Sequence, residues 1–166
     1  VYKILVNSSS FLIGNIRKAE TNEQLKLCYD NLQMLLKPLI KSELSVSYIT
    51  KITTPCSDAM IQRLIELTIN EIGKPPADFS FICLGSEGRK EETLFTDQDN
   101  AIIFEDVQKE RENYVLEYFI RLGERVCNSL NHIQRKLRLR GLPFPSGEIR
   151  EIHRDIALFN GGSRQL

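Results

Sequence analysis

The spacing of apolar positions changes character along the chain, and each change marks a change of element. Leu25, Cys28, Leu32, Leu35, Leu36 and Leu39 recur at steps of three and four, which lines one face of an α-helix. Thr21-x-x-Gln24 just ahead of them has the spacing of a capping box. Pro38 is expected to end or kink this helix, because proline lacks an N–H and its ring crowds the preceding turn. A second helix is expected over about 43–53. A third starts near Ser57 or Asp58, turns Ile61, Leu64, Ile65 and Ile72 toward a core, and stops at Gly73 before Pro75-Pro76.

Beyond the proline pair the helical period gives way to short apolar runs. Phe79-Ser80-Phe81-Ile82-Cys83-Leu84, bounded by proline and glycine, suits a buried strand. Asp99 to Phe104 suits a second strand, and its run Ala101-Ile102-Ile103-Phe104 predicts burial on both faces. A long helix follows over about 110–139, with Val115, Phe119, Leu122, Val126, Leu130, Ile133 and Leu137 as its inner stripe and Gly141 placed to cap its end. The tail over Ile149–Phe159 reads as a strand or a short helix.

Composition narrows what such a chain does. With 42% apolar and 27% charged residues over 166 positions, the chain is a globular one that can bury a core without staples. No apolar run approaches the roughly 20 residues of a membrane helix, and Val1–Val6 is too short for a signal-peptide core. The start at Val1 suggests a piece of a longer polypeptide. Twenty-two basic residues balance 22 acidic ones, so long-range attraction to nucleic acid or anionic lipid is absent and neither is expected as a partner. Cys28, Cys56, Cys83 and Cys127 form no C-x-x-C pair. They read as reduced thiols packed like small apolar residues, in keeping with a cytoplasmic location.

One segment carries chemistry. Where the first strand ends, Gly85 lets backbone approach a ligand, and the following amides can point at phosphate oxygens. Ser86 adds a hydroxyl donor, and Arg89 a planar fork suited to phosphate. Asp97 and Asp99 are two apart at the start of the second strand. Alternation puts their carboxylates on one face, with backbones roughly 6–7 Å apart, and turns Gln98 the other way. Such a pair suits a hard cation, magnesium or manganese, that keeps substrate phosphates in its shell. A Gly-Ser after a strand is by itself usually a turn, and a lone D-x-D a solvated pair. The ordered combination is what points to nucleotide chemistry.

Residues 74–106 resemble the signal-transduction nucleotidyltransferases that often follow CBS or cyclic-nucleotide-binding domains. These are relatives of the uridylyltransferase that modifies the PII nitrogen-signalling protein, within the DNA polymerase β nucleotidyltransferase superfamily. The resemblance rests on Gly73-x-Pro75-Pro76, on Gly85-Ser86-x-Gly88-Arg89-x-Glu91 and on Thr96-Asp97-Gln98-Asp99-Asn100-Ala101. The helical stretch from about 11 to 72 is similar to the segment that precedes this motif in the family. The resemblance implies an α+β fold: an N-terminal helical region over 1–73, then a small polymerase-β-like core with a mixed sheet over 74–166. It implies triphosphate binding by Gly85 and Ser86 and metal binding by Asp97 and Asp99, with Thr96 and Asn100 buttressing the aspartates.

A third carboxylate on a neighbouring strand is usual in active members of that superfamily. Glu148, Glu151 and Asp155 are the candidates, and Glu148 is preferred because it follows Gly147 where such a strand would start. The expected reaction moves a nucleoside monophosphate from a triphosphate to a protein or small-molecule acceptor, in signalling. The chief competing reading is a nucleotide-binding regulatory module that performs no chemistry. Another is a structural fragment whose helices mediate dimerisation. His153-Arg154-Asp155 lacks the other kinase motifs, and Arg135, Lys136, Arg138 and Arg140 complement the dipole at the end of the long helix.

Overall fold

The computed structural model describes residues 2–42, 45–84, 100–134 and 156–160. Three helices come first: α1 (Tyr2–Lys18), α2 (Asn22–Lys41) and α3 (Val46–Ile72). Two strands, β1 (Phe79–Cys83) and β2 (Asn100–Phe104), precede a long helix α4 (Lys109–Gln134) and a last strand β3 (Ile156–Asn160). The fold is α+β. Its sheet has the order β1-β2-β3, with β2 antiparallel to β1 and parallel to β3, so the expected mixed sheet is present.

The capping signal at Thr21 holds. Thr21 Oγ1 accepts from the Gln24 N–H at 3.2 Å, and Gln24 Oε1 accepts from the Glu20 N–H at 2.6 Å. These bonds satisfy donors that the first turn of α2 cannot pair internally. The expected inner stripe is buried, with Leu25 and Leu36 fully enclosed.

The proline expectations were wrong. α2 runs through Pro38 to Lys41, and the two helices expected on either side of residue 55 are one continuous α3 with Pro55 inside. Both prolines face solvent, as do Met34 and Lys51, whose carbonyls lose their usual i+4 donor. Water can hydrate those carbonyls. On the opposite face burial runs without a gap past the proline, through Ile52, Cys56, Ala59 and Met60, and that packing outweighs the local penalty. Gly73 does stop α3, at φ +96°, with its N–H donating to Ile69 O at 2.9 Å. This is a left-handed conformation that glycine adopts without a Cβ clash.

α4 ties the two parts of the chain together. Val115, Phe119, Leu122, Val126, Leu130 and Ile133 are all buried, as the stripe predicts; Leu137 and Gly141 lie outside the described residues. Toward the sheet, Phe119 stacks on Phe104 with ring centroids 5.0 Å apart and tilts against Phe79 at 5.2 Å. Toward the helices, Tyr118 Oη donates to Gly73 O at 2.5 Å, Asn22 Nδ2 donates to Ser129 Oγ at 3.0 Å, and Arg125 pairs with Glu71 at 2.7 Å. One apolar cluster therefore runs from Leu12 of α1 through α2 and α3 to β2 and α4. Among the described residues no helix is long and apolar enough to cross a membrane.

Candidate functional site

Alternation sorts the side chains of β2 between two environments. Asn100, Ile102 and Phe104 share the face turned to α4, shown by the Phe104–Phe119 stack and by a hydrogen bond from Asn100 Nδ2 to Cys127 Sγ at 3.7 Å. Ala101 and Ile103 share the other face. Ile103 is 38% exposed there, which corrects the expectation that the strand is buried on both faces: the described helices cover only one side of the sheet. On β1, Phe79, Phe81 and Cys83 pack against the core, while Ser80 is exposed.

The end of this sheet frames the motif. Cys83 pairs with Asn100 across the antiparallel ladder. The chain thus leaves the sheet toward Gly85-Ser86 and returns from Asp97-Gln98-Asp99 at a single rung, where adjacent strands are only about 4.7–4.9 Å apart. On the other side of β2, Asn100 pairs in parallel register with Ile156. Gly85, Ser86, Gly88, Arg89, Glu91, Thr96, Asp97, Gln98 and Asp99 lie outside the described residues, as do Glu148, Glu151 and Asp155. Among the described residues no group of three His, Cys, Asp or Glu side chains could hold a metal.

Asn100 is the described residue nearest the motif, and its side chain does not turn toward the aspartates' expected face. It is 2% exposed, and Oδ1 is buried with no hydrogen-bond partner among the described residues. Reading the sequence placed Asn100 beside the aspartates and missed Cys127, which had been grouped with thiols that merely pack. The available signal was positional: Cys127 follows Val126 on the inner stripe of the helix that returns over the sheet. The four cysteines are free thiols. Burial pushes the Cys56 thiol up to about 11, helped by neighbouring Cys28, and burial raises Cys28 as well. Neither thiol is therefore a ready nucleophile.

A family described as putative nucleotidyltransferase DUF294 matches residues 30–135, well over half of the chain. The chain belongs to this family. The DUF294 match begins within α2, takes in α3, both strands of the antiparallel pair and the whole intervening motif, and ends just after α4. No curated protein and no solved structure matches the chain.

Proposed function

We propose that this DUF294 chain transfers a nucleoside monophosphate from a nucleoside triphosphate to a protein side chain or small molecule, with magnesium or manganese as the required cation. The observation that carries the reading is the pairing of Cys83 with Asn100 inside the family-matched segment. It tethers both halves of the motif, Gly85-Ser86 and Asp97/Asp99, to one rung of the sheet. The kinship with signalling nucleotidyltransferases attached to CBS or cyclic-nucleotide-binding domains belongs to the same proposal.

The donor set fits a hard divalent cation, because Asp97 and Asp99 offer only carboxylate oxygens. Bound there, such a cation supplies charge neutralisation of the triphosphate and of the departing pyrophosphate. The residues themselves bind and orient. Backbone amides after Gly85 and the Ser86 hydroxyl donate to phosphate oxygens, and the Arg89 guanidinium adds charge-assisted bonds. The acceptor oxygen attacks the α-phosphorus, the bond from that phosphorus to the bridging oxygen breaks, and pyrophosphate leaves. Positioning and electrostatics supply most of the acceleration.

The acceptor proton needs a base within hydrogen-bond reach. The parallel register supports Asp155 over Glu148 for this role: Asn100 pairs with Ile156, and the residues that precede the two in the chain are Asp99 and Asp155.

The test is incubation with each labelled triphosphate, magnesium and cell extract. A labelled acceptor is expected, lost in Asp99→Asn and reduced about 10²–10⁴-fold in Asp155→Asn, the usual worth of a general base. Glu148→Gln should retain transfer. Tight triphosphate binding with no label in any extract would overturn transfer and leave a nucleotide-sensing module.

A further inference from the structure

We propose that the contact between Asn100 and Cys127 is a pin that sets which face of β2 turns inward at the edge of the motif, making Asn100 a positioning residue for the aspartates before it. The structural half stands on its own; the catalytic consequence rests on the function proposed above.

The need for a pin follows from the strand's sequence, Asn100-Ala101-Ile102-Ile103-Phe104. Side chains alternate strictly along a strand, so a slip of one residue exchanges its faces. At the far end Phe104 fixes the choice by stacking on Phe119. In the middle Ile102 and Ile103 are equivalent in bulk and polarity, and hydrophobicity does not choose between them. At the near end the competitors are Asn100 and Ala101. By hydrophobicity alone the alanine belongs inside and the carboxamide outside.

The structure shows the carboxamide turned inward. Asn100 is 2% exposed and its Oδ1 has no partner among the described residues, a desolvation cost that an apolar residue would avoid. What it gains is a directed contact: Nδ2 donates to Cys127 Sγ at 3.7 Å. Thiol sulfur is a weak acceptor, so this bond contributes direction more than strength. Cys127 is itself 7% exposed on α4, and Cys83 stands opposite Asn100 on the same rung. Asn100 is thus held from the helix while it pairs with strands on both sides. With Asn100 fixed inward, the same alternation carried back one residue assigns Asp99 to the open face, away from the apolar layer.

Amide hydrogen exchange and ligand binding separate the two halves. In the free protein, Cys127→Ala should lower protection of the Ala101 and Ile102 amides at least tenfold and leave Phe104 unchanged, whereas Cys127→Ser, which keeps an acceptor, should restore protection. Asn100→Ala should match Cys127→Ala, and the double variant should be no worse than either single one. With magnesium and ATP, GTP, CTP or UTP in turn, Cys127→Ala should weaken triphosphate binding at least fivefold, and any transfer should fall in kcat with the acceptor KM unchanged. Unchanged protection in Cys127→Ala would overturn the pin, and so would equal losses in the alanine and serine variants. Because exchange is read without nucleotide, a wild-type protein that binds no triphosphate would remove the functional reading and leave this test intact. If Asn100→Ala fails to fold, the two Cys127 variants decide alone.

Discussion

At the scale of single residues, the phosphate-facing groups and the buried thiols make separate predictions. Ser86→Ala and Arg89→Ala should weaken triphosphate binding more than nucleoside binding, with the arginine loss the larger, at about 1.5–3 kcal/mol for a bond to a charged group. Calorimetry with both ligands checks this, and equal losses would mean that the residues only shape the loop. Asp97→Asn should weaken triphosphate chiefly when magnesium is present. Cys56 predicts a pH effect. Its thiol is raised by burial, and secondarily by Cys28, from 9.0 to about 11, so the folded state holds a proton that the unfolded state gives up. Stability is then intact below about pH 9 and falls as pH rises toward 11, by about 3 kcal/mol at 1.36 kcal/mol per unit. Tyr118, raised by burial against the opposing pull of Arg121, adds to the fall in the alkaline range. Urea unfolding at pH 8 and pH 10.5 should show a smaller drop in Cys56→Ala than in the wild type.

Elements show where local reading of the chain succeeded. The stripe of α4, the cap at Thr21 and the stop at Gly73 each rest on one strong local signal, and each is present. Pro38 and Pro55 misled because the penalty of a proline is local, while the burial that overrides it is tertiary. The sequence around them does not say that both rings face solvent. β3 was half legible: a strand or a short helix was allowed over Ile149–Phe159, and the strand is Ile156–Asn160. Choosing between those alternatives required β2 as a partner, a contact distant in sequence. The motif itself was fully legible as a string. What brings its two ends together, the Cys83–Asn100 rung, followed from expecting two strands but not from knowing that they pair. Phe119 tests how far α4 organises these elements. Its ring meets Phe79, Phe104 and Tyr118, so Phe119→Ala should cost about 3–5 kcal/mol. Denaturant unfolding should show that loss in a single transition, since one core joins helices and sheet. Two separate transitions would mean that the helical region and the sheet fold apart.

Across the whole molecule, the strands that complete the sheet are not consecutive. β1 and β2 pair as neighbours in the chain, whereas β3 reaches β2 only after α4 has crossed over. During synthesis the N-terminal parts emerge first, at about 5–20 residues per second. The helices, the first pair of strands and the motif between them therefore leave the ribosome well ahead of β3. Until β3 arrives, β2 keeps one unpaired edge, and such an edge is a template for aggregation. A nonsense mutation between α4 and Ile156 would then yield a product with the whole family-matched segment, 30–135, but without Asp155. On the reading above, that shortened gene product would still capture triphosphate yet lack the base, and in the cell it would compete with the full-length protein for nucleotide instead of merely being lost.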